Sequence, residues 1–191
     1  GSAMTNGSII SMDVFKAVTQ AISRSEQLDV MCSHLAQLLV ASLEIKACAI
    51  YALEPDTGEL ERLTSFGLSM AYTNKGRILA QKSITECMEG TPVIVSDISG
   101  DDRIQYPEEA GSEGIAAIVS IPIRVSGIVL GTLRLYHDRV WKISEEDLGS
   151  LMLLAEFVGL AMNYTTMMDA LCEISDLVDR TIPAGLVRQK C

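Results

Sequence analysis

Apolar residues recur at helical spacing through residues 9–24, IISMDVFKAVTQAISR, at Ile10, Val14, Val18 and Ile22. That spacing is the mark of an amphipathic helix with one buried face. Ser25 reads as the N-cap of a second helix, EQLDVMCSHLAQLLVASL, with Leu28, Met31, Leu35, Leu38 and Ser42 on one stripe. The pattern changes at Lys46. KACAIYAL is strand-like, EPDTGE is a turn and LERLTSF is a second strand, so a hairpin is expected. In LERLTSF, strict alternation puts Leu60, Thr64 and Phe66 on one face.

A third helix is expected in ILAQKSITECMEG, with a stripe through Ile78, Ala80, Ile84, Cys87 and Met88, closed by Gly90 and stopped by Pro92. VIVS is a short strand. DISGDDRIQYPEEAGSEG is a polar segment, expected to be a solvated loop. SIPIRVSGIVLGTLRLYHD supplies two strands around a turn at Gly127, and Gly131 inside the second marks a close approach of another backbone or helix. Ser144 and Asp147 form a Ser-x-x-Asp cap for the longest helix, running from Glu145 towards Thr181 before Pro183. Along it Phe157, Leu160, Tyr164, Met167, Leu171, Ile174 and Val178 alternate three- and four-residue steps. This is a heptad seam, which implies a partner helix.

The element order, α-α-β-β-α-β-loop-β-β-α, indicates an α+β fold: an antiparallel sheet with terminal helices on one face and irregular chain on the other. The expected domain spans 9–164. Residues 1–8 hold a vector-like GSAM and a flexible N-terminus, and 165–191 form a helical extension and tail.

Composition narrows the function classes. A formal charge of −10 argues against nucleic acid or an anionic membrane surface as partner. No apolar run of about 18 residues is seen in the sequence, so no membrane span is expected. Five scattered cysteines, with no Cys-x-x-Cys, indicate neither a disulfide framework nor a zinc site, and a cytoplasmic protein is expected. His34 and His137 lack companion ligands at suggestive spacing, so no metal is expected.

The run from Lys75 to Met162 resembles the GAF family. GTPVIVSDIS, EGIAAIVSIPI, SGIVLGTLRLY and KISEEDLGSLMLLAEFVGLAM occur in that family's order. The resemblance implies a central antiparallel sheet of about six strands, terminal helices on one face, and a small-molecule cup on the other. Candidate cup-floor residues on strands are Tyr51, Phe66, Val119, Ile121, Arg134 and Tyr136; the period of two fixes each set and leaves open which set faces inward. Ile84 and Cys87 are expected on a wall, and Asp97, Arg103 and Tyr106 on a lid. Arg103 and Arg134 suit a carboxylate, nitrate or phosphate, although Arg103 among acids also suits a surface ion pair.

The ligand is left open. Cys87 is followed by Met88, not the histidine of bilin-binding relatives, and Asn74-Lys75 lacks the phenylalanine that follows it in cyclic-nucleotide relatives. The implied function is a non-catalytic sensory or regulatory domain, a homodimer through its terminal helices. A thiol-dependent free methionine sulfoxide reductase using Cys87 with Cys48 is one alternative, and a ligand-free dimerisation module is another.

Overall fold

The computed structural model describes residues 10–24, 27–79 and 85–181. Its elements are α1 (Met12–Arg24), α2 (Leu28–Leu43), β1 (Ala47–Leu53), β2 (Glu59–Phe66), α3 (Met70–Thr73), β3 (Ile78–Leu79), α4 (Thr85–Met88), β4 (Val93–Val95), α5 (Pro107–Glu113), β5 (Ala117–Val125), β6 (Ile128–His137) and α6 (Glu145–Thr181). The fold is α+β. Six strands form one sheet in the order β3-β2-β1-β6-β5-β4, and every pairing is antiparallel.

The pleat divides the strands between two cores. Cys48 and Ile50 of β1, Val119, Ile121 and Ile123 of β5, and Leu133 and Leu135 of β6 share a core with Val18 of α1, Leu35 and Leu39 of α2, and Leu151, Leu154 and Val158 of α6. The alternate residues, Ala47, Ala49, Tyr51, Ile118 and Tyr136, join a second core with Tyr72, Ile78, Cys87, Ala110 and Ile115. Burying a large aliphatic side chain contributes about 2 kcal/mol, so the first core, with both terminal helices in it, dominates stability.

Several local expectations are corrected. The buried stripe of α2 is Met31, Cys32, Leu35, Ala36, Leu39 and Leu43, rotated from the one expected through Leu38 and Ser42. Gln27 occupies its N-cap, and Ser25 lies outside the described residues. Ile78 is in edge strand β3, paired with Leu60, instead of starting a helix. Ala80 and Ile84 lie outside the described residues; among the described residues of this region, Thr85–Met88 is helical. The expected loop contains α5, with Pro107 in its first turn, Glu108 and Glu109 beside it, and Gly114 as a left-handed C-cap. Each of these is an ordinary helix signal.

A β-bulge sets the phase of β2. Ile50 pairs with Thr64 but Tyr51 pairs with Arg62, so Leu63 is the extra residue. Beyond it the faces shift, and Phe66 lies opposite Cys48, on the helix side of the sheet. A side chain on Gly131 would run into the Tyr51 carbonyl oxygen of the neighbouring strand. The close neighbour is therefore backbone of β1, not a helix. Helix α6 lies close against β5 at Gly159, where a Cβ would lie 2.9 Å from Val125 Cγ2 and 3.1 Å from the Arg124 carbonyl oxygen.

The cap of α6 also fixes α1. Ser144 Oγ accepts from the Asp147 amide at 3.1 Å and donates to Asp147 Oδ2 at 2.9 Å. The other carboxylate oxygen of this buried aspartate accepts the Ile10 amide at 3.0 Å, just before α1. Past Met162, α6 leaves the core; Leu160 just before it and Tyr164, Met167, Leu171, Ile174 and Val178 beyond it are exposed. By length and composition alone this helix could cross a membrane, with mean hydropathy 1.3 over its most apolar window. That departs from the expectation of no such segment. Leu151, Leu154, Ala155 and Val158, however, are committed to the sheet.

Asp147→Ala keeps the amide bond to Ser144 Oγ but removes the carboxylate that accepts from the Ser144 hydroxyl and tethers the Ile10 amide. A loss of about 2 kcal/mol is expected in urea denaturation. An unchanged midpoint would refute the tether.

Candidate functional site

Strands β5 and β6 place three polar side chains at the centre of the face opposite the helices. Ser120 and Arg134 are cross-strand partners, and Arg134 Nε donates to Ser120 Oγ at 3.2 Å. Thr132, two residues along, donates to the Ile121 carbonyl at 3.2 Å and contacts Cys87 Sγ at 3.6 Å. All three are at least 95% buried, Arg134 at 5% exposure being the most accessible. Around them stand phenols. Tyr51 and Tyr136 hydroxyls are 3.4 Å apart, and the Tyr72 ring meets Tyr136 edge to face at 6.0 Å.

Lys75 reaches in from the chain after α3. Its ammonium lies 3.7 Å from the Tyr72 ring centre and donates to the Tyr72 carbonyl at 3.1 Å. The cup thus brings two cations together. Burial, then Arg134 and Arg62, lower the Lys75 pKa to about 8, against the pull of Glu109 and Glu113. Burial also opposes the charge of Arg134, but Tyr136, Tyr51, Tyr72 and Cys87 outweigh it and its pKa lies above the ordinary value. Glu113 is engaged elsewhere, accepting from the amide and hydroxyl of Ser69, the N-cap of α3.

The mouth is latched. The Gln105 side-chain amide pairs with the free edge of β3 as a strand peptide would: Leu79 N donates to its Oε1 at 3.1 Å, and its Nε2 donates to the Arg77 carbonyl at 3.0 Å. Tyr106 Oη donates to the same carbonyl at 2.7 Å. Beneath the latch remains a space of about 10 Å³, bounded by Tyr72, Lys75, Ile78, Ile104, Tyr106, Ile118 and Arg134. That is about the least that holds one water.

Of the residues singled out from the sequence, Tyr51, Cys87, Arg134 and Tyr136 come together in this core, and Tyr106 closes its mouth. Phe66, Val119 and Ile121 do not: Val119 and Ile121 are in the helix core, and Phe66 is 44% exposed beyond the bulge. Ile84 lies outside the described residues. Asp97 is exposed and accepts from the Ser99 amide in a local turn. Arg103 is turned to its neighbour Asp101, with Nη2 donating to Oδ2 at 2.6 Å and to the Ile94 carbonyl at 3.3 Å. Tyr72, Gln105, Ser120 and Thr132 carry no sequence signal for the cup, and Lys75 stands out only beside Asn74.

The cysteines are arranged against thiol chemistry. Cys48 belongs to the helix core and Cys87 to the cup core, so the sheet separates them. Burial pushes the Cys87 thiol up to about 11, despite Thr132 and Arg134, and that of Cys32 to about 12. Neither is a thiolate at neutral pH. Among the described residues no cluster of His, Cys, Asp and Glu is suited to a metal.

The model of the GAF domain matches residues 27–162. The chain belongs to the GAF domain family. It is similar to the Nif-specific regulatory protein of Herbaspirillum seropedicae, 25% identical over 126 residues, which are 63% of this chain and 23% of that protein. This chain thus spans about a quarter of that relative. Among solved structures it resembles the GAF domain of a phosphoenolpyruvate-protein phosphotransferase from Coxiella burnetii, with TM-score 0.74, 19% identity, and coverage of 83% of this chain and 95% of that one. It also resembles free methionine-R-sulfoxide reductase from Neisseria meningitidis in complex with its substrate, with TM-score 0.67, 16% identity, and coverage of 80% and 91%. At these identities the structural likenesses establish the fold.

The GAF cup has a pH signature. A lysine pKa lowered in the folded state disfavours folding while the ammonium persists in both states. The penalty is complete below about 8 and disappears as pH rises towards 10.5, the unexposed-to-protein value. Lys75→Met is therefore expected to be more stable than the parent at pH 7, with the difference shrinking between pH 8 and 10.5. Thermal melts across that range check this, and a constant difference would contradict it.

Proposed function

We propose that this GAF domain is a regulatory module that binds a small molecule in its cup and signals through α1 and α6, by which two copies associate. The observation that carries this reading is the division of β6. Thr132, Arg134 and Tyr136 belong to the cup, while Leu133 and Leu135 belong to the helix core. A ligand that moves β6 at Arg134 therefore disturbs, one residue away, the core that α6 shares with β6 and its partner β5. Such a ligand shifts the helices only by the difference in its affinity for their two packings.

The exposed seam from Leu160 to Val178 supports association of two copies, because an apolar heptad stripe left in water is unfavourable. The domain would work in the cytoplasm, where the buried thiols of Cys32, Cys48 and Cys87 stay reduced. Its charge of −10 disfavours nucleic acid and anionic lipid as partners. The reductase alternative is weakened by the burial of Cys87 and its separation from Cys48.

A second reading, dimerisation without a ligand, is favoured by one observation: the cup is filled by its own side chains to about 10 Å³. Native followed by denaturing mass spectrometry of the purified protein distinguishes the two. The sensor reading expects a non-covalent adduct lost on denaturation, or a metabolite that raises the melting temperature; saturation at a hundred times Kd stabilises by about 2.7 kcal/mol. A bare dimer that no metabolite stabilises supports the second reading. Leu171→Asp, which places a charge in the seam, is expected to yield monomers. If the variant's mass is still that of a dimer, the seam is not the interface.

A further inference from the structure

The cup is built for charge. Arg134 is 5% exposed, and the Lys75 ammonium lines the same small space. Among the described residues Asp147 is the sole buried acid, and it lies at the head of α6 on the opposite face. Two cations brought together in a desolvated site repel each other, and a core selected for packing alone would place an apolar or neutral pair there.

The donor set distinguishes among anions. The backbone amides of β1, β5 and β6 are engaged in sheet ladders and the Thr132 hydroxyl donates to the Ile121 carbonyl, so the donors that line the floor and mouth are a guanidinium, an ammonium and phenols. Phosphate sites commonly add converging backbone amides. A planar guanidinium flanked by aromatic rings matches a carboxylate on a compact apolar body.

We propose that the cup takes a small organic carboxylate, its carboxylate held by Arg134 at the floor and Lys75 at the mouth, its body against Tyr51, Tyr72 and Tyr136. This rests on the reading of the cup as a ligand site. To admit the ligand, the Gln105–Tyr106 latch opens and Lys75 leaves the Tyr72 ring. A bound carboxylate restores a proton to Lys75 above its resting pKa of about 8. The groups that bear on that proton are Tyr72 of α3, Arg62 of β2, Arg134 of β6, Tyr106, and Glu109 and Glu113 of α5. Arg134 and Arg62 oppose the proton and the two glutamates favour it, so affinity falls with rising pH and binding at pH 8.5 takes up protons.

The test uses the whole protein and a panel of small mono- and dicarboxylates, each paired with its neutral primary amide, with inorganic phosphate alongside. Thermal shift finds binders, and calorimetry in buffers of different ionisation enthalpy measures affinity and proton uptake. The expected result is that carboxylates bind and their amides do not, and that Lys75→Gln weakens binding about tenfold. The variant is also expected to lose proton uptake at pH 8.5. Arg134→Gln should abolish binding, and if it fails to fold, Lys75→Gln still decides. Amides that bind as well as their acids, or phosphate binding without any carboxylate, overturn the carboxylate assignment and leave the cup a ligand site. Silence across the panel, with a neutral adduct in native mass spectrometry, has the same meaning. Silence with no adduct overturns the ligand site as well.

Discussion

The alternation of side chains across one sheet ties this molecule together. Each strand residue must face either the helices or the cup, and the central strands are filled on both sides. Leu133 and Leu135 lie in the core that α6 shares, while the alternate residues Thr132, Arg134 and Tyr136 form the cup floor. The sheet cannot shift to suit one face without disturbing the other. At Gly159 α6 lies so close to β5 that a single added methyl would contact Val125 and the Arg124 carbonyl. Close packing of this kind converts small displacements into a choice between discrete arrangements.

The cup side has a different energetic character. Its centre is a buried cation beside a second, half-buried one, enclosed by phenols; burial raises the Tyr72 hydroxyl to about 12 and pushes that of Tyr136 well above the ordinary tyrosine value. That arrangement contributes less to folding than the apolar helix side, and its edge is held by side-chain hydrogen bonds from Gln105 and Tyr106. A two-residue edge strand held by side-chain hydrogen bonds is the mark of a region that opens locally while the rest stays folded.

Much of this was readable where chemistry is local. Ser144 and Asp147 announce a helix start three residues apart, and the structure has that cap. The extent of α6 to Thr181 follows from its periodicity and from Pro183. The faces of Arg134 and Tyr136 follow once one strand is oriented. What failed was non-local. The bulge at Leu63 exists only through pairing with β1, and it turns Phe66 out of the cup. Strand β3 is two residues long and is defined by Glu59 and Leu60 across from it. The Ser120–Arg134 partnership needs the register shift between Ile123 and Arg124, which the hairpin turn alone does not specify. Lys75 carries no local signal, because its role comes from being folded over Tyr72 and towards Arg134. By contrast, Pro107, two acids and Gly114 did mark α5, and the density of charge around them suggested a solvated loop instead.

The central claim is that the state of the cup sets the packing of α6. Cys172 lies exposed on the helical extension, while Cys32, Cys48 and Cys87 are buried. With Cys191 replaced by serine, a nitroxide on Cys172 would report the separation of two α6 helices by pulsed dipolar spectroscopy. The account predicts a narrow distance distribution that moves to a second narrow distribution when a cup ligand is saturating. The same single distribution with and without ligand would contradict it, as would no dipolar coupling at all.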